Sequence, residues 1–280
     1  MTEFILAVKE QTFLQYALLT GILASIASGI IGSYVVTKRI TYIAGGISHT
    51  VLAGLGAAKY CQVVLAWKWF NPLYGAVISA ILAALLIGTI NLSNTKQRED
   101  TIISGVWAIG IAIGILFIFK TPGYNENLTT YLFGNILMVS LNEIWLIAGL
   151  DILIVSIGIF FYNKLLAVCF DEEFAKIKGI NVSFYYLLLL SLIALTVVLL
   201  VTIVGIVMVI ALLTLPVAIS GLFTKKLWHM MLVATILTIV LNSAGLFISY
   251  KYDLPAGATI IVLTGTAYLT AIFATRLIKS

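Results

Sequence analysis

Apolar runs recur from Phe13 to the C-terminal end of the chain, and each reaches the roughly 20 residues that a helix needs to cross a bilayer core about 30 Å thick. With 62% apolar and 10% charged residues, and a mean hydropathy of +1.15, the chain has far too little polar surface for a soluble domain of this length. No soluble domain interrupts the runs. The expected fold class is an all-α polytopic membrane protein. The formal charge of +5 then belongs to loops, where it reports orientation and not a nucleic-acid footprint.

Nine spans are predicted, at 13–36, 41–58, 72–92, 101–119, 144–162, 183–201, 204–222, 227–248 and 256–275. The stretch from Phe184 to Phe223 is about twice as long as one crossing requires. It divides near Thr202, before Gly205. Leu128–Val139 is too short to span and reads as a re-entrant or interfacial helix on the outer side. Glu3, Lys9 and Glu10 do not form the basic lead of a secretory signal, and the first run is too long for a signal-peptide core, so it is expected to be a mature span. Cys61 and Cys169 are placed in loops on opposite sides of the membrane, which gives no disulfide framework.

Lysine and arginine collect in alternating loops. They mark Lys38 and Arg39, Lys96 and Arg98, Lys164 to Lys178, Lys225 and Lys226, and Arg276 and Lys279 as one face, the cytoplasmic one. The opposite loops hold Trp67, Trp69, Tyr124, Tyr131, Tyr250 and Tyr252, aromatics suited to an outer interface. The N-terminus is therefore expected outside and the C-terminus inside. No G-x-x-x-x-G-K-[ST] phosphate loop occurs, so ATP hydrolysis by that machinery is excluded. The longest external loop is too short for a folded capture domain. If the chain belongs to a pump, both motor and extracellular receptor are other polypeptides.

In the second span, Gly45, His49, Ala53 and Ala57 recur every fourth residue and share one helical face. The adjoining stripe is Gly46, Thr50, Gly54 and Ala58. Small residues on two stripes let another backbone approach closely or leave room for a cavity. His49 is the one large polar side chain on that face. Neutral imidazole is the commonest transition-metal ligand, so one reading is a cation path. The other is a hydrogen bond to a neighbouring helix that holds the bundle together. One histidine is a poor metal site alone, and a two-fold dimer would supply it twice. In the first span, Gly21, Ser25 and Gly29, with Ser28 and Gly32 one stripe over, form a close-packing face.

Between the fifth and sixth spans, Asp171 can cap a short cytoplasmic helix. Glu172 and Glu173 fill its first turn, Lys176 and Lys178 lie near its end, and Gly179 stops it. Phe174 and Ile177 share a side. That side fits either a partner's groove or the membrane surface.

Several blocks, in this order, resemble the metal-type permeases of ABC importers. They are Gly45 to Gly54 (GGISHTVLAG), Glu99 to Gly105 (EDTIISG), Tyr131 to Leu137 (YLFGNIL), Asp171 to Asn181 (DEEFAKIKGIN), Val204 to Pro216 (VGIVMVIALLTLP) and Asp253 to Thr259 (DLPAGAT). The resemblance covers nearly the whole chain. It implies a type II ABC importer-like permease bundle, with residues 1–280 as one transmembrane domain and a coupling helix at about 164–180. It also implies a homodimer in the bacterial inner membrane, cytoplasmic ATPase subunits that bind ATP, and an extracytoplasmic metal-binding receptor. His49 would lie on the path of a divalent metal, zinc first, then manganese or iron, with no cofactor resident in the chain. Gly45, Gly46, Ala53 and Gly54 would line or pack the pore. Asp171, Glu172, Phe174, Ala175 and Gly179 would couple to the ATPase. Many members of the family carry aspartate where this chain has Gly45, so the paired Asp–His ligand set is incomplete here.

Asp151, inside the fifth span toward its external end, is either a second waypoint for the cation or a structural carboxyl that snorkels or accepts bonds from neighbours such as Asn242. His229 reads as interfacial. Pro216, helped by Thr214, is expected to kink the seventh span and act as a hinge. A secondary metal-ion transporter not driven by ATP is the rival reading, but such proteins concentrate ionisable groups at mid-membrane. An intramembrane enzyme would need a nucleophile–base pair or an H-E-x-x-H set, and neither is found.

Overall fold

The computed structural model describes residues 2–67, 69–93, 98–123, 134 and 136–279. The expected helix at 128–139 lies largely outside them, as do Lys96, Tyr124 and Tyr131. Among the described residues, all regular structure is helical. In chain order the helices are α1 (Thr2–Glu10), α2 (Thr12–Lys38), α3 (Thr41–Val63), α4 (Pro72–Leu92), α5 (Glu99–Lys120), α6 (Leu141–Phe160), α7 (Tyr162–Phe170), α8 (Glu172–Ile177), α9 (Val182–Val204), α10 (Ile206–Phe223), α11 (Leu227–Tyr252) and α12 (Ala256–Lys279). A 3₁₀ turn, Ile136–Met138, precedes α6.

Eight of these helices are long and apolar enough to cross a membrane. The remaining long helix among the described residues, α3, is diluted by its glycines, Ser48 and His49 and packs inside the bundle, which is approximately consistent with the nine crossings read from the sequence. The protein is a multi-pass membrane protein. Helix ends follow local chemistry. Asn71 caps α4 ahead of Pro72, Ser140 and Glu143 close a reciprocal capping box at α6, and Asn181 caps α9. The apolar run from Val182 to Phe223 is broken by one residue, Gly205. Its φ of 78° lies in the region that glycine alone enters cheaply, and α9 ends and α10 begins there.

Two placements differ from the sequence reading. Cys61 lies in the last turn of α3, and Cys169 lies in α7 and is buried; neither is in a loop. α3 runs through Cys61 to Val63, and α7 runs through Cys169 to Phe170, where Asp171 turns extended to cap α8. The cytoplasmic segment is likewise two short helices, α7 and α8, where one was expected.

α9 is the central helix, with Leu189, Leu190, Ile193, Val197 and Leu200 fully buried. α2 packs across it and meets α6, α10 and α11. Gly29 leaves no room for a Cβ against Thr235 of α11, and Gly32 none against Leu213 of α10. Asn242 of α11 donates to the Gly21 carbonyl at 3.3 Å and to Ser25 Oγ at 3.0 Å. The small-residue face of the first span is thus a packing face, as its spacing indicated.

Candidate translocation path and coupling surface

The two stripes of α3 do different work. In one, every residue is closed off by a neighbour. A Cβ on Gly46 would strike Ile103 of α5, Thr50 sits against Gly110, and Cβ atoms on Gly54 and on Gly75 of α4 would each overlap the other's carbonyl oxygen. Missing side chains thus let α3 sink between α4 and α5. The other stripe stays open: Gly45 is buried near Ile210 of α10, but His49, Ala53 and Ala57 are only half-buried.

His49 makes no hydrogen bond among the described residues. Its ring stacks on Trp107 of α5, centroids 4.3 Å apart and planes 9° from parallel. Stacking uses the faces of the imidazole and leaves its two nitrogens, at the ring edge, uncommitted. Among the described residues His49 has no interhelical hydrogen bond of the kind the packing reading called for. Among the described residues no three His, Cys, Asp or Glu side chains come close enough to hold a metal ion. A cation passing His49 would therefore meet one protein nitrogen per chain.

Toward the cytoplasmic end, Tyr42 continues this wall. Its hydroxyl lies 2.6 Å from Ser104 Oγ, and its ring is 6.4 Å from that of Trp107. Beyond it opens a cavity of about 350 Å³ lined by Lys38, Arg39, Tyr42, Glu99, Asp100 and Glu172, among others. Asn91 spans one side, donating to Glu99 at 2.8 Å and to the Tyr186 hydroxyl at 2.9 Å. The basic ends of α2 and the acidic starts of α5 and α8 thus meet at one end of the bundle, the face assigned to the cytoplasm. Trp107 and Tyr42 were not singled out in the sequence because a lone aromatic beside or within an apolar run carries no spacing signal, and a single Asn91 near a helix end forms no motif.

Asp151 is not near an interface. α6 begins at Leu141, so the carboxyl lies in the middle of the helix, 4% exposed, where snorkelling cannot reach water. It meets the backbone at Ala27 of α2, and one of its oxygens is buried without a partner. Asn242 is committed to Gly21 and Ser25 and does not serve it. Asp151 and His49 sit on different helix interfaces. His229 is half-buried beside Trp228, with ring centroids 3.7 Å apart.

Pro216 is buried inside α10, which runs unbroken through it. Proline there leaves the carbonyl one turn earlier without its usual donor. The Thr214 hydroxyl bonds the neighbouring Ile210 carbonyl at 2.6 Å. α10 thus has a weakened rung within two turns of the residue that faces Gly45.

In α8, one Asp171 carboxylate oxygen accepts from the amides of Glu173 and Phe174, both at 3.0 Å. At the far end Gly179, with φ 74°, donates to Lys176, and Ile180 donates to Ala175. This paired pattern is the left-handed glycine stop expected of that residue. Glu172 turns inward to an ion pair with Lys38, whose ammonium also donates to the Val168 carbonyl at 2.9 Å. Ala175 is buried against the bundle, and Phe174 and Ile177 point away from it. Of the five residues the resemblance links to coupling, the structure uses Asp171 and Gly179 to end the helix and Glu172 and Ala175 to anchor it. Phe174 is the one with a large apolar side chain left for a partner. Next to the anchor, burial pushes the Cys169 thiol up to about 12, with Lys38 acting in the opposite direction.

The sequence matches the ABC 3 transport family from residue 10 to residue 275. The chain belongs to that family. It is 41% identical over 260 residues to the probable metal transport system membrane protein of Chlamydia trachomatis, covering 93% of this chain and 88% of that one. Over 274 residues it is 33% identical to the manganese transport system membrane protein MntC of Halalkalibacterium halodurans, covering 98% and 91%. Its fold is similar to that of PsaBC from Streptococcus pneumoniae, solved in complex with Fab. The TM-score is 0.85 at 30% identity, over 96% of this chain and 94% of that one.

Proposed function

We propose that this chain is the membrane-spanning permease subunit of an ATP-driven importer of a divalent transition metal. In this reading residues 1–280 form one permease unit that works as a homodimer, with ATPase subunits below and a metal-binding receptor above. The observation that carries it is His49: a half-buried imidazole on the open stripe of α3, with both nitrogens uncommitted and its ring held by Trp107. Membership in an ABC family favours a separate ATPase motor over ion coupling. The few ionisable groups inside the membrane point the same way.

Manganese is the cargo to test first. The resemblance puts zinc first, but relatives named for a particular metal are manganese transport proteins, among them those of Halalkalibacterium halodurans and Listeria monocytogenes. One imidazole per chain, without the aspartate that Gly45 replaces, suits a passing cation better than a tightly held one. The test is uptake of manganese, zinc and iron by cells carrying the intact transporter or its His49→Ala variant. Severe loss of one metal's uptake at normal expression supports the reading. Near-normal uptake with a lowered melting temperature would leave His49 as packing only.

A further inference from the structure

At the cytoplasmic end a groove of about 510 Å³ runs between the α7–α8 segment and the turn that joins α10 to α11. One wall carries Phe170, Asp171 and Phe174; the other carries Lys225, Lys226 and Trp228. The three aromatics are 68%, 50% and 48% exposed. Neither lysine pairs with a carboxylate among the described residues.

We infer that Lys225, Lys226 and Trp228 form a second half of the ATPase docking surface, opposite Phe174, so that the partner seats in a groove rather than on α8 alone. This rests on the reading that the chain works with a separate ATPase. The groove has the exposed Asp171 on one side, the two lysines on the other, and aromatic side chains between them. A protein surface can present an apolar knob flanked by charges of both signs to match it. An anionic lipid headgroup is the other natural ligand of paired lysines beside a tryptophan; Phe174, which lines the groove and also lies on the helix the resemblance links to coupling, favours the ATPase.

The basic lip is also tied to the translocation path. Ser220, near the end of α10, donates to the Met230 carbonyl of α11 at 3.2 Å, which braces the turn. Movement of the turn is therefore transmitted to α10, the helix that holds Pro216 and sets Ile210 against Gly45. α8 reaches the bundle by another route, through Lys38 at the end of α2. A partner gripping both walls would act on both helices.

The test uses the complete transporter with its ATPase subunits, comparing K225E/K226E, the conservative K225R/K226R and Phe174→Ala. Co-purified ATPase is expected to fall about tenfold or more in K225E/K226E, to stay normal in K225R/K226R, and to fall in Phe174→Ala, with the permease melting temperature unchanged throughout. If K225E/K226E keeps its ATPase and only Phe174→Ala loses it, the second wall is refuted while coupling through α8 stands. If neither loses it, both ideas fall. If K225E/K226E keeps its ATPase and loses uptake only in vesicles containing anionic phospholipid, the groove belongs to a lipid and the inference is overturned.

Discussion

The imidazole of His49 lies flat against the indole of Trp107, with centroids 4.3 Å apart. This contact fixes the ring without using its nitrogens. An aromatic pair of this kind contributes about 0.5–1.5 kcal/mol beyond burial. Trp107→Ala is therefore expected to lower the melting temperature slightly and to reduce metal uptake by freeing the ring. Trp107→Phe restores most of both. Uptake unchanged in Trp107→Ala would show that the orientation of His49 is immaterial.

Gly54 and Gly75 hold α3 and α4 in backbone contact. Gly54→Val inserts a branched side chain where the Gly75 carbonyl stands. Overpacking of this kind costs about 1–3 kcal/mol or more, so expression and thermal stability should fall clearly. Ala53→Val, on the open stripe, should leave stability nearly unchanged and narrow the space beside His49. Equal melting losses in the two variants would contradict the division of the stripes.

Asp151 is buried at mid-membrane without a cation beside it among the described residues. Charged residues at the helix centre cost about 2.5–3.5 kcal/mol on insertion scales. Asp151→Asn removes that cost and can still hydrogen-bond. Because Asp151 lies against α2 and not on the open face of α3, uptake should persist and the melting temperature should hold or rise. Loss of uptake in a stable Asp151→Asn protein would instead place the carboxyl in the transport cycle.

The Cys169 thiol is buried and pushed up to about 12, mainly by burial. It stays protonated in the folded protein at pH values where an exposed cysteine, with its ordinary value near 9, forms thiolate. In mildly alkaline detergent solution a thiol reagent should modify half-buried Cys61 and spare Cys169 until the protein unfolds. The same shift makes the fold lose stability as pH rises above the ordinary thiol value toward about 12. Rapid modification of Cys169 in the native protein would mean that α7 opens readily.

Most of the architecture was legible because a bilayer converts length and hydropathy into crossings with little ambiguity. The membrane-spanning helices, the basic ends from which orientation was read, the glycine break at Gly205 and the capped α8 each follow from a local rule: span length, loop charge, glycine φ or side-chain cap. Periodicity also put His49 on a stripe of small residues. Local rules could not say which stripe would close. Gly54 looks no different in sequence from Ala53, and only the approach of α4 and α5 separates packing residues from half-buried ones. The same holds for Glu172, legible as a helix-start acid but drawn inward by Lys38, 134 residues away in the chain. It holds too for Trp107 beneath His49 and for Lys225 across from Phe174. Sequence sets what each helix is, because backbone satisfaction in lipid is local. Which side chains meet is decided between helices, where shape and charge from distant segments compete for the same space.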